Sequence, residues 1–154
     1  MNNFELRVIG SIEVNGGFKI KINKKYIKAL KGLEEFKYIQ VIYWFDKVEN
    51  RDLIIEEKPY KKGPDKLGIF ATRSPFRPNP IGIETVYVEN IDLENGILYI
   101  PYIDAFDGTP ILDIKPYIPS IDRVENINMP EWCKNWPNCY EKSGDFDWAN
   151  EFNF

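Results

Sequence analysis

The sequence predicts an all-β protein, a small single-domain β-barrel with short helical additions and an aromatic C-terminal tail. Three observations predict this class. Short apolar segments are separated by turn residues, only one segment has a clear helical period, and strands do not alternate regularly with helices. The 154 residues are 44% hydrophobic and 15% aromatic, enough for one buried core. We expect residues 1–125 to form the barrel domain and residues 126–154 to form a tail packed on the barrel or on a dimer partner.

The first half of the chain contains the strongest strand patterns. Residues 4–12 and 18–22 are predicted strands, and Asn-Gly-Gly at 15–17 predicts the turn between them. Residues 24–31 have a helical period instead. Residues 36–45 are rich in β-branched and aromatic side chains, which favours a central strand over a helix.

The second half predicts four more strands, at 52–57, 67–72, 81–91 and 96–103, the last two paired through a turn at 92–95. Beyond them, the tail holds three of the four tryptophans, and its segment DFDWANEF predicts a terminal helix. Packing on the rest of the molecule is the simplest explanation for such a tail, since large exposed apolar patches are rare. A partner-binding segment or a dimer-swapped arm is the alternative.

Composition excludes several classes of protein. The net charge of −4 excludes a generally basic nucleic-acid-binding protein but allows a local basic patch. The absence of histidine excludes Ser-His-Asp and Cys-His mechanisms and the usual histidine-containing zinc sites. The two cysteines have neither zinc-knuckle nor CxxC spacing, so we expect no metal.

The sequence shows no signal peptide and no membrane-spanning run, and we expect a cytoplasmic protein.

Residues 68–82, GIFATRSPFRPNPIG, form the first candidate functional segment. It contains Arg73 and Arg77 and three prolines, and proline restricts both its own backbone and that of the preceding residue. A loop restricted in this way loses little entropy when it binds a ligand. Arginine donors suit phosphate or carboxylate. A rigid turn whose arginines pair with nearby acids is an equally good interpretation from the residues alone.

Residues 104–117, DAFDGTPILDIKPY, form the second candidate segment. Asp104 and Asp107 flank two apolar residues just after a predicted strand, and paired carboxylates can bind a ribose diol, an amine or a cation, or act as a base. Asp113 and Lys115 lie on the same side if the segment is extended, which predicts a salt bridge. Turn-forming carboxylates are the structural alternative.

Two lysine-rich stretches are the third feature. Residues 19–37 contain seven lysines and two glutamates, and residues 58–77 contain six basic residues and one aspartate, so each stretch has a net charge of +5. Such stretches in an acidic protein can bind a polyanion, although a solvated lysine surface explains them equally well.

The two candidate segments together resemble the TsaA-like family of TrmO-type S-adenosylmethionine (SAM)-dependent methyltransferases. The resemblance covers residues 26–119 and includes ALKGLEEFKYIQVIYWF. It implies a small β-barrel that forms homodimers and binds SAM without a Rossmann fold. It also implies methylation of N6 of threonylcarbamoyl-adenosine beside the anticodon of tRNA. Nothing in the sequence resembles the family's N-terminal Pro-Arg-Gln element, and we expect the aromatic tail to stand where longer members have an additional C-terminal domain.

The resemblance also implies roles for individual residues. The cofactor-binding positions carried over by motif are Arg73, Ile83, Asp46, Lys47 and the stretch Asp104, Ala105, Phe106 and Asp107. Asp104 and Asp107 are also the catalytic candidates. For RNA, the candidates are Arg77 in the proline-rich loop and Lys61, Lys62 and Lys66 in the basic stretch before it.

Two alternatives to a tRNA methyltransferase stay open. A SAM-dependent enzyme acting on a small molecule is suggested by the short N-terminal loop at 15–17. A SAM-binding protein without catalysis is suggested by Asp46 and Lys47, because the family often has His-Gln at this place.

Overall fold

A computed structural model describes residues 4–153 of the chain. Within that range the chain forms two compact units. One contains the residues up to 48 together with 80–122, and the other contains 49–79 together with the residues from 123 onward. We call them the sheet unit and the aromatic unit.

The described residues form nine strands and short helices. The strands are β1 Gly10–Glu13, β2 Lys19–Ile22, β3 Tyr38–Trp44, β4 Ile55–Glu57, β5 Lys66–Gly68, β6 Ile81–Tyr87, β7 Asn90–Asp92, β8 Ile97–Tyr99 and β9 Pro110–Pro116. One α-helix, α1, spans Pro119–Asp122. The 3-10 helices are Lys24–Leu30, Leu33–Glu35, Ile69–Ala71, Glu131–Cys133, Tyr140–Lys142 and Trp148–Asn150.

The sheet unit is built on one antiparallel seven-stranded sheet with the order β6-β3-β9-β1-β2-β8-β7. The predicted central strand is confirmed, because β3 pairs on both sides, with β6 and with β9. Alternation along β3 buries Ile39, Val41 and Tyr43. They join a core of aliphatic side chains from other strands, such as Ile12, Ile20, Val86, Leu98 and Ile111.

The predicted β-rich fold is confirmed, but the closed barrel is not found among residues 4–153. No ladder joins the edge strands β6 and β7. They follow one another along the chain, separated by Val88 and Glu89, and the chain changes partners there. Val88 N–H donates to the carbonyl of Lys37, and Glu89 N–H donates to that of Tyr99. The predicted strand 81–91 is therefore two strands, because its first part pairs with β3 and its last part with β8.

Three other expectations need correction. Predicted strand 4–12 begins only at Gly10, where its ladders with β2 and β9 begin. Predicted strand 67–72 stops at Gly68 and continues as a 3-10 helix, since Thr72 N–H bonds back to Ile69. In place of the predicted terminal helix, residues 145–152 contain only the 3-10 turn Trp148–Asn150. The helical segment at 24–31 is confirmed, as a 3-10 helix.

The aromatic unit has a small sheet, β4 paired with β5, and a cluster of rings. Trp136 lies within 5.3–6.3 Å, between ring centroids, of four other rings, those of Tyr60, Trp132, Trp148 and Phe152. Segment 49–79 and the tail therefore share one core in this unit. The predicted packing of the tail on the barrel or on a dimer partner stays a prediction. Within residues 4–153, no helix has the length and apolar character needed to span a membrane.

Candidate functional site

The loop between β8 and β9 carries the second candidate segment. Ile103 and Thr109 are buried, with exposed fractions of 1% and 3%, whereas Asp104, Phe106 and Asp107 are exposed. The loop is thus anchored in the core on both sides of the residues that it presents to solvent.

Two strands hold the backbone of Asp104. Its N–H donates to Oε2 of Glu84 on β6, at 2.9 Å. Its carbonyl accepts from the hydroxyl of Tyr43 on β3, at 3.2 Å, and this hydroxyl also lies 3.5 Å from Oε2 of Glu84. Both backbone polar groups of Asp104 are therefore satisfied by side chains of the sheet, which fixes where the loop begins.

Gly82 makes room for this arrangement. It pairs with Tyr43 across the ladder of β6 and β3, and a Cβ atom at Gly82 would lie 2.5 Å from ring atoms Cε2 and Cζ of Tyr43. Because side chains two residues apart share a strand face, Glu84 lies on the same face of β6 as Gly82. Only glycine lets the tyrosine ring lie across β6 and reach Glu84 and Asp104.

Burial and charge tune the groups in this network. The pKa of Glu84 is raised, first by burial and further by the charge of Asp104, against the stabilising hydrogen bond from the Asp104 N–H. The pKa of Tyr43 is raised strongly, first by burial and then by the negative charges of Glu84 and Asp104. Tyr43 is therefore a protonated donor at neutral pH.

Asp107 is held from other directions. Its Oδ1 accepts from the backbone N–H of Val14, at 2.9 Å, and its carbonyl accepts from Nζ of Lys47, at 3.1 Å. Gly108 follows with a φ of 82°, in the left-handed region that favours glycine. The Asp107 carboxylate thus ties the loop to the backbone just after β1, which is a contact between distant segments rather than a bond within its own turn.

The other predicted cofactor positions of the sheet unit lie on β6, on the turn after β3 and on the loop. Lys47 Nζ lies 5.2 Å from the ring centroid of Phe106, which is 70% exposed. Asp46 is exposed, Ile83 is 46% exposed and Ala105 packs against the core. The structure brings Lys47 together with Phe106 and Asp107, and it ties Asp104 to Glu84.

Sequence reasoning missed Tyr43, Gly82 and Glu84. A usable signal exists for Glu84, because it is the single charged residue of the strand IGIETVY. The salt bridge predicted between Asp113 and Lys115 is present at 2.8 Å.

The proline-rich loop belongs to the aromatic unit, and buried Thr72 organises it. Thr72 Oγ1 donates to the carbonyl of Ile69 and accepts from the N–H of Ser74. Arg77 Nη1 donates to the carbonyl of Thr72, at 3.1 Å. Arg73 is exposed, and its backbone forms a hydrogen bond with Tyr60, whose pKa is raised mainly by burial.

The three lysines proposed for RNA all have partners within the aromatic unit. Lys62 pairs with Glu151 at 2.7 Å, and the exposed Lys66 lies 3.4 Å from Glu57. Lys61 Nζ donates to the carbonyl of Ala149, at 2.8 Å. Glu151 is buried and also accepts from Nε1 of Trp136, and the hydrogen bond from Lys62 is the main cause of its lowered pKa. Lys61 and Lys62 therefore help to fix the tail.

In the part of the chain that the structure describes, no group of three or more cysteine, aspartate or glutamate side chains is arranged to hold a metal ion. The predicted independence from metal stays a prediction.

Comparison with known proteins gives consistent matches. The model of a family described as the tRNA-methyltransferase O N-terminal domain matches residues 9–123. A probable S-adenosyl-L-methionine-binding protein of Pyrococcus abyssi is 40% identical over 126 residues, which are 82% of this chain and 65% of that protein. The mouse tRNA (adenine(37)-N6)-methyltransferase is 39% identical over 101 residues, 66% of this chain and 23% of the mouse protein.

A solved structure, described as the crystal structure of TrmO, has a TM-score of 0.68 and 28% identity, and the match covers 82% of this chain and 63% of that one. The chain spans less than two thirds of the length of these relatives, 65% and 23% for the two curated proteins and 63% for the solved structure.

Proposed function

Because this chain belongs to the family of the tRNA-methyltransferase O N-terminal domain, we propose that it is a SAM-dependent methyltransferase acting on N6 of an adenosine in tRNA. The match over residues 9–123 carries the proposal. The substrate we propose is threonylcarbamoyl-adenosine beside the anticodon, in the anticodon loop. The proposed location is the cytoplasm.

The exposed groups of the sheet unit suit SAM chemically. SAM carries an ammonium, ribose hydroxyls, an adenine ring and a sulfonium that supplies an electrophilic methyl group. Asp104 offers a carboxylate for the ammonium or the ribose, and Phe106 and Ile83 offer exposed apolar surface for the ring. Asp46, Lys47 and Ala105 complete the proposed cofactor positions of this unit.

The role of the protein is mainly to position the reactants. Methyl transfer is an in-line displacement, so orientation of the two reactants supplies much of the rate. Glu84 and Tyr43 fix the backbone of Asp104 and thereby the start of the cofactor loop. The attacking nitrogen loses a proton, and the exposed Asp104 is a better acceptor for it than Asp107, whose Oδ1 is occupied by Val14 N–H.

Arg73 is the proposed cofactor residue of the proline-rich loop. Its guanidinium would bind the SAM carboxylate, so Arg73→Ala should weaken SAM binding by about 1.5–3 kcal/mol through loss of a charge-assisted hydrogen bond. Isothermal titration calorimetry measures this effect, with Arg51→Ala as the control at another arginine of the same unit. Unchanged affinity in Arg73→Ala would remove Arg73 from the cofactor site.

The RNA side of the proposal uses Arg77 and the lysines at 61, 62 and 66. Lys66 is the best phosphate contact of the three lysines, because its partner Glu57 is exposed and surface ion pairs are weak. Lys61 and Lys62 would have to bind phosphate in addition to their contacts with the tail.

We also propose a homodimer, as the family resemblance implies. Light scattering at micromolar protein should give twice the chain mass of 18.1 kDa, and a clean monomer mass would reject the dimer.

The direct test is an assay with methyl-labelled SAM. Incubation with tRNA carrying threonylcarbamoyl-adenosine should transfer label to that nucleoside, identified after digestion by chromatography and mass spectrometry. Transfer that needs no RNA would favour a small-molecule methyltransferase. SAM binding without transfer to any RNA or small molecule would favour a non-catalytic SAM-binding protein.

A further inference from the structure

One of the most exposed aromatic side chains of the protein lies in the aromatic unit, at the start of the proline-rich loop. Phe70 is 80% exposed and sits in the middle of the 3-10 helix Ile69–Ala71. Its neighbour Ile69 is 2% exposed and anchors the turn. The chain thus presents Phe70 to solvent from a fixed base.

Hydrogen bonds make this turn rigid. Thr72 closes it through its backbone N–H and its hydroxyl, both donating to the carbonyl of Ile69. Ile69 N–H donates to the carbonyl of Ile54, at 2.9 Å, and ties the turn to the chain before β4. An aromatic ring on such a turn loses little backbone entropy when it binds a ligand.

One cation lies near the ring, and further exposed apolar side chains belong to the same unit. The Arg77 guanidinium carbon lies 6.0 Å from the centroid of Phe70, and Arg77 is held by its bond to Thr72. Phe76 is 44% exposed in the same loop and Ile54 is 65% exposed. The segment 58–77 has a net charge of +5.

Exposed rings beside basic side chains suit the binding of single-stranded nucleic acid, because bases stack on aromatic side chains while lysine and arginine bind phosphates. A purely hydrophobic partner would not need the positive charge. Arg77 beside the ring, and Lys66 with its exposed partner Glu57, are the cations of the segment best suited to phosphates, and they favour RNA over an apolar protein surface as the ligand of Phe70.

We propose that Phe70, backed by Arg77, is a stacking platform for an unpaired base of the RNA substrate. This inference rests on the proposed function and adds a residue that reads the single-stranded part of the RNA. Because a stacked base contributes no charge, Phe70 should set affinity while leaving its salt dependence unchanged.

The test compares Phe70→Ala with Phe4→Ala, since Phe4 is a comparably exposed phenylalanine of the sheet unit, at 88%. Fluorescence anisotropy measures binding to an RNA hairpin with the sequence of a tRNA anticodon stem and loop. Phe70→Ala should weaken binding by about 5- to 100-fold, with the slope against salt unchanged. Phe4→Ala should bind RNA like the unmodified protein, and Phe70→Trp should keep the RNA affinity because it keeps an aromatic ring at this position.

Several results would overturn the platform. The first is an RNA affinity of Phe70→Ala within twofold of that of the unmodified protein. The second is a loss of SAM affinity in Phe70→Ala as large as its loss of RNA affinity. The third is a mass of Phe70→Ala in light scattering that differs from that of the unmodified protein. The second would assign Phe70 to the adenine of the cofactor, and the third to a second copy of the chain. The labelled-SAM assay separates this failure from that of the function. If the unmodified protein methylates tRNA and Phe70→Ala binds RNA normally, the platform is rejected and the function stands. If the unmodified protein binds RNA through Phe70 but transfers no methyl group, the function is rejected and the platform stands.

Discussion

Different kinds of side chain form the cores of the two compact units. In the sheet unit, fully buried residues are mostly isoleucine, valine and leucine on paired strands. Among the described residues of the aromatic unit, strand pairing consists of three residue pairs between β4 and β5 and one isolated bridge between Tyr60 and Phe152, and rings around Tyr60 and Trp136 form the core. A ladder distributes stability over many backbone bonds, whereas a ring cluster concentrates it in a few side chains.

The same difference extends to the candidate functional residues. The loop between β8 and β9, which is the proposed cofactor loop of the sheet unit, is fixed by hydrogen bonds from strand side chains to the backbone of Asp104. The proline-rich loop of the aromatic unit is fixed mainly by bonds within itself, with Thr72 at the centre and Arg77 bonded to it. Bonds to Ile54 and Tyr60 tie it to the rest of that unit. We therefore expect the cofactor loop to respond to substitutions in the sheet, and the proline-rich loop to respond to substitutions within itself.

The largest effect should come from Trp136→Ala. This change removes a ring with four aromatic neighbours and the indole donor to buried Glu151, at a cost of about 3–5 kcal/mol. Hydrogen exchange should show lost protection in residues 49–79 and 123–153. Tyr140→Ala, at an exposed ring, is the control and should cost much less. Equal protection in Trp136→Ala and the unmodified protein would show that the cluster is not the core of this unit.

Gly82→Ala should have the next largest effect. Its Cβ would lie 2.5 Å from the Tyr43 ring, and the resulting overpacking should cost about 1–3 kcal/mol of unfolding free energy. Displacement of Tyr43 should also release the Asp104 carbonyl and weaken SAM binding. Gly68→Ala is the matched control, because no atom lies within 4 Å of its added Cβ. If both variants kept the SAM affinity of the unmodified protein, the position of Tyr43 would have no effect on SAM binding.

The smallest effect is a pH dependence at Glu84. Its pKa is raised by burial above the usual 4.5, so the folded state binds its proton more tightly than the unfolded chain does. This contribution to stability is fully present below the unfolded pKa and is lost as pH rises through the folded pKa. The unfolding free energy of the unmodified protein minus that of Glu84→Gln should therefore fall as pH rises above about 4.5, as urea titrations at several pH values would show.

Asp92→Asn is the control of opposite sign. Hydrogen bonds from Asn95 lower the pKa of Asp92 below 3.8, so its contribution is present above the unfolded pKa and is lost as pH falls through the folded value. The corresponding difference should rise with pH in the acid range. A difference for Glu84→Gln that also rises with pH would show that the carboxylate is stabilised rather than penalised by its surroundings.

Local sequence patterns predicted the elements that depend on neighbouring residues. Strand β2, the helical segment at 24–31 and the central strand β3 follow from alternation, period and side-chain type. The partner change at Val88 and Glu89 did not follow, because strand pairing depends on distant residues that a local pattern does not contain. The closed barrel was wrong for the same reason.

The candidate site was predictable only where a motif marks it. Asp104 and Asp107 stand in a recognisable segment, and the structure places both on one anchored loop. Their supports do not appear in any motif, since Glu84 and Tyr43 are 20 and 61 residues away from Asp104 in the sequence. Lys62 pairs with buried Glu151, which is also distant in the sequence. The local pattern shows only a basic stretch, and this stretch could therefore be interpreted as surface charge.

The most direct test of the account is the nucleoside composition of tRNA from cells with and without the gene. We predict that threonylcarbamoyl-adenosine carries one additional methyl group at N6 when the gene is present and loses it when the gene is deleted. Restoration by the unmodified gene, but not by a gene encoding Asp104→Ala, would link this modification to the cofactor loop. Identical nucleoside profiles in the two strains, with SAM bound normally by the purified protein, would contradict the account.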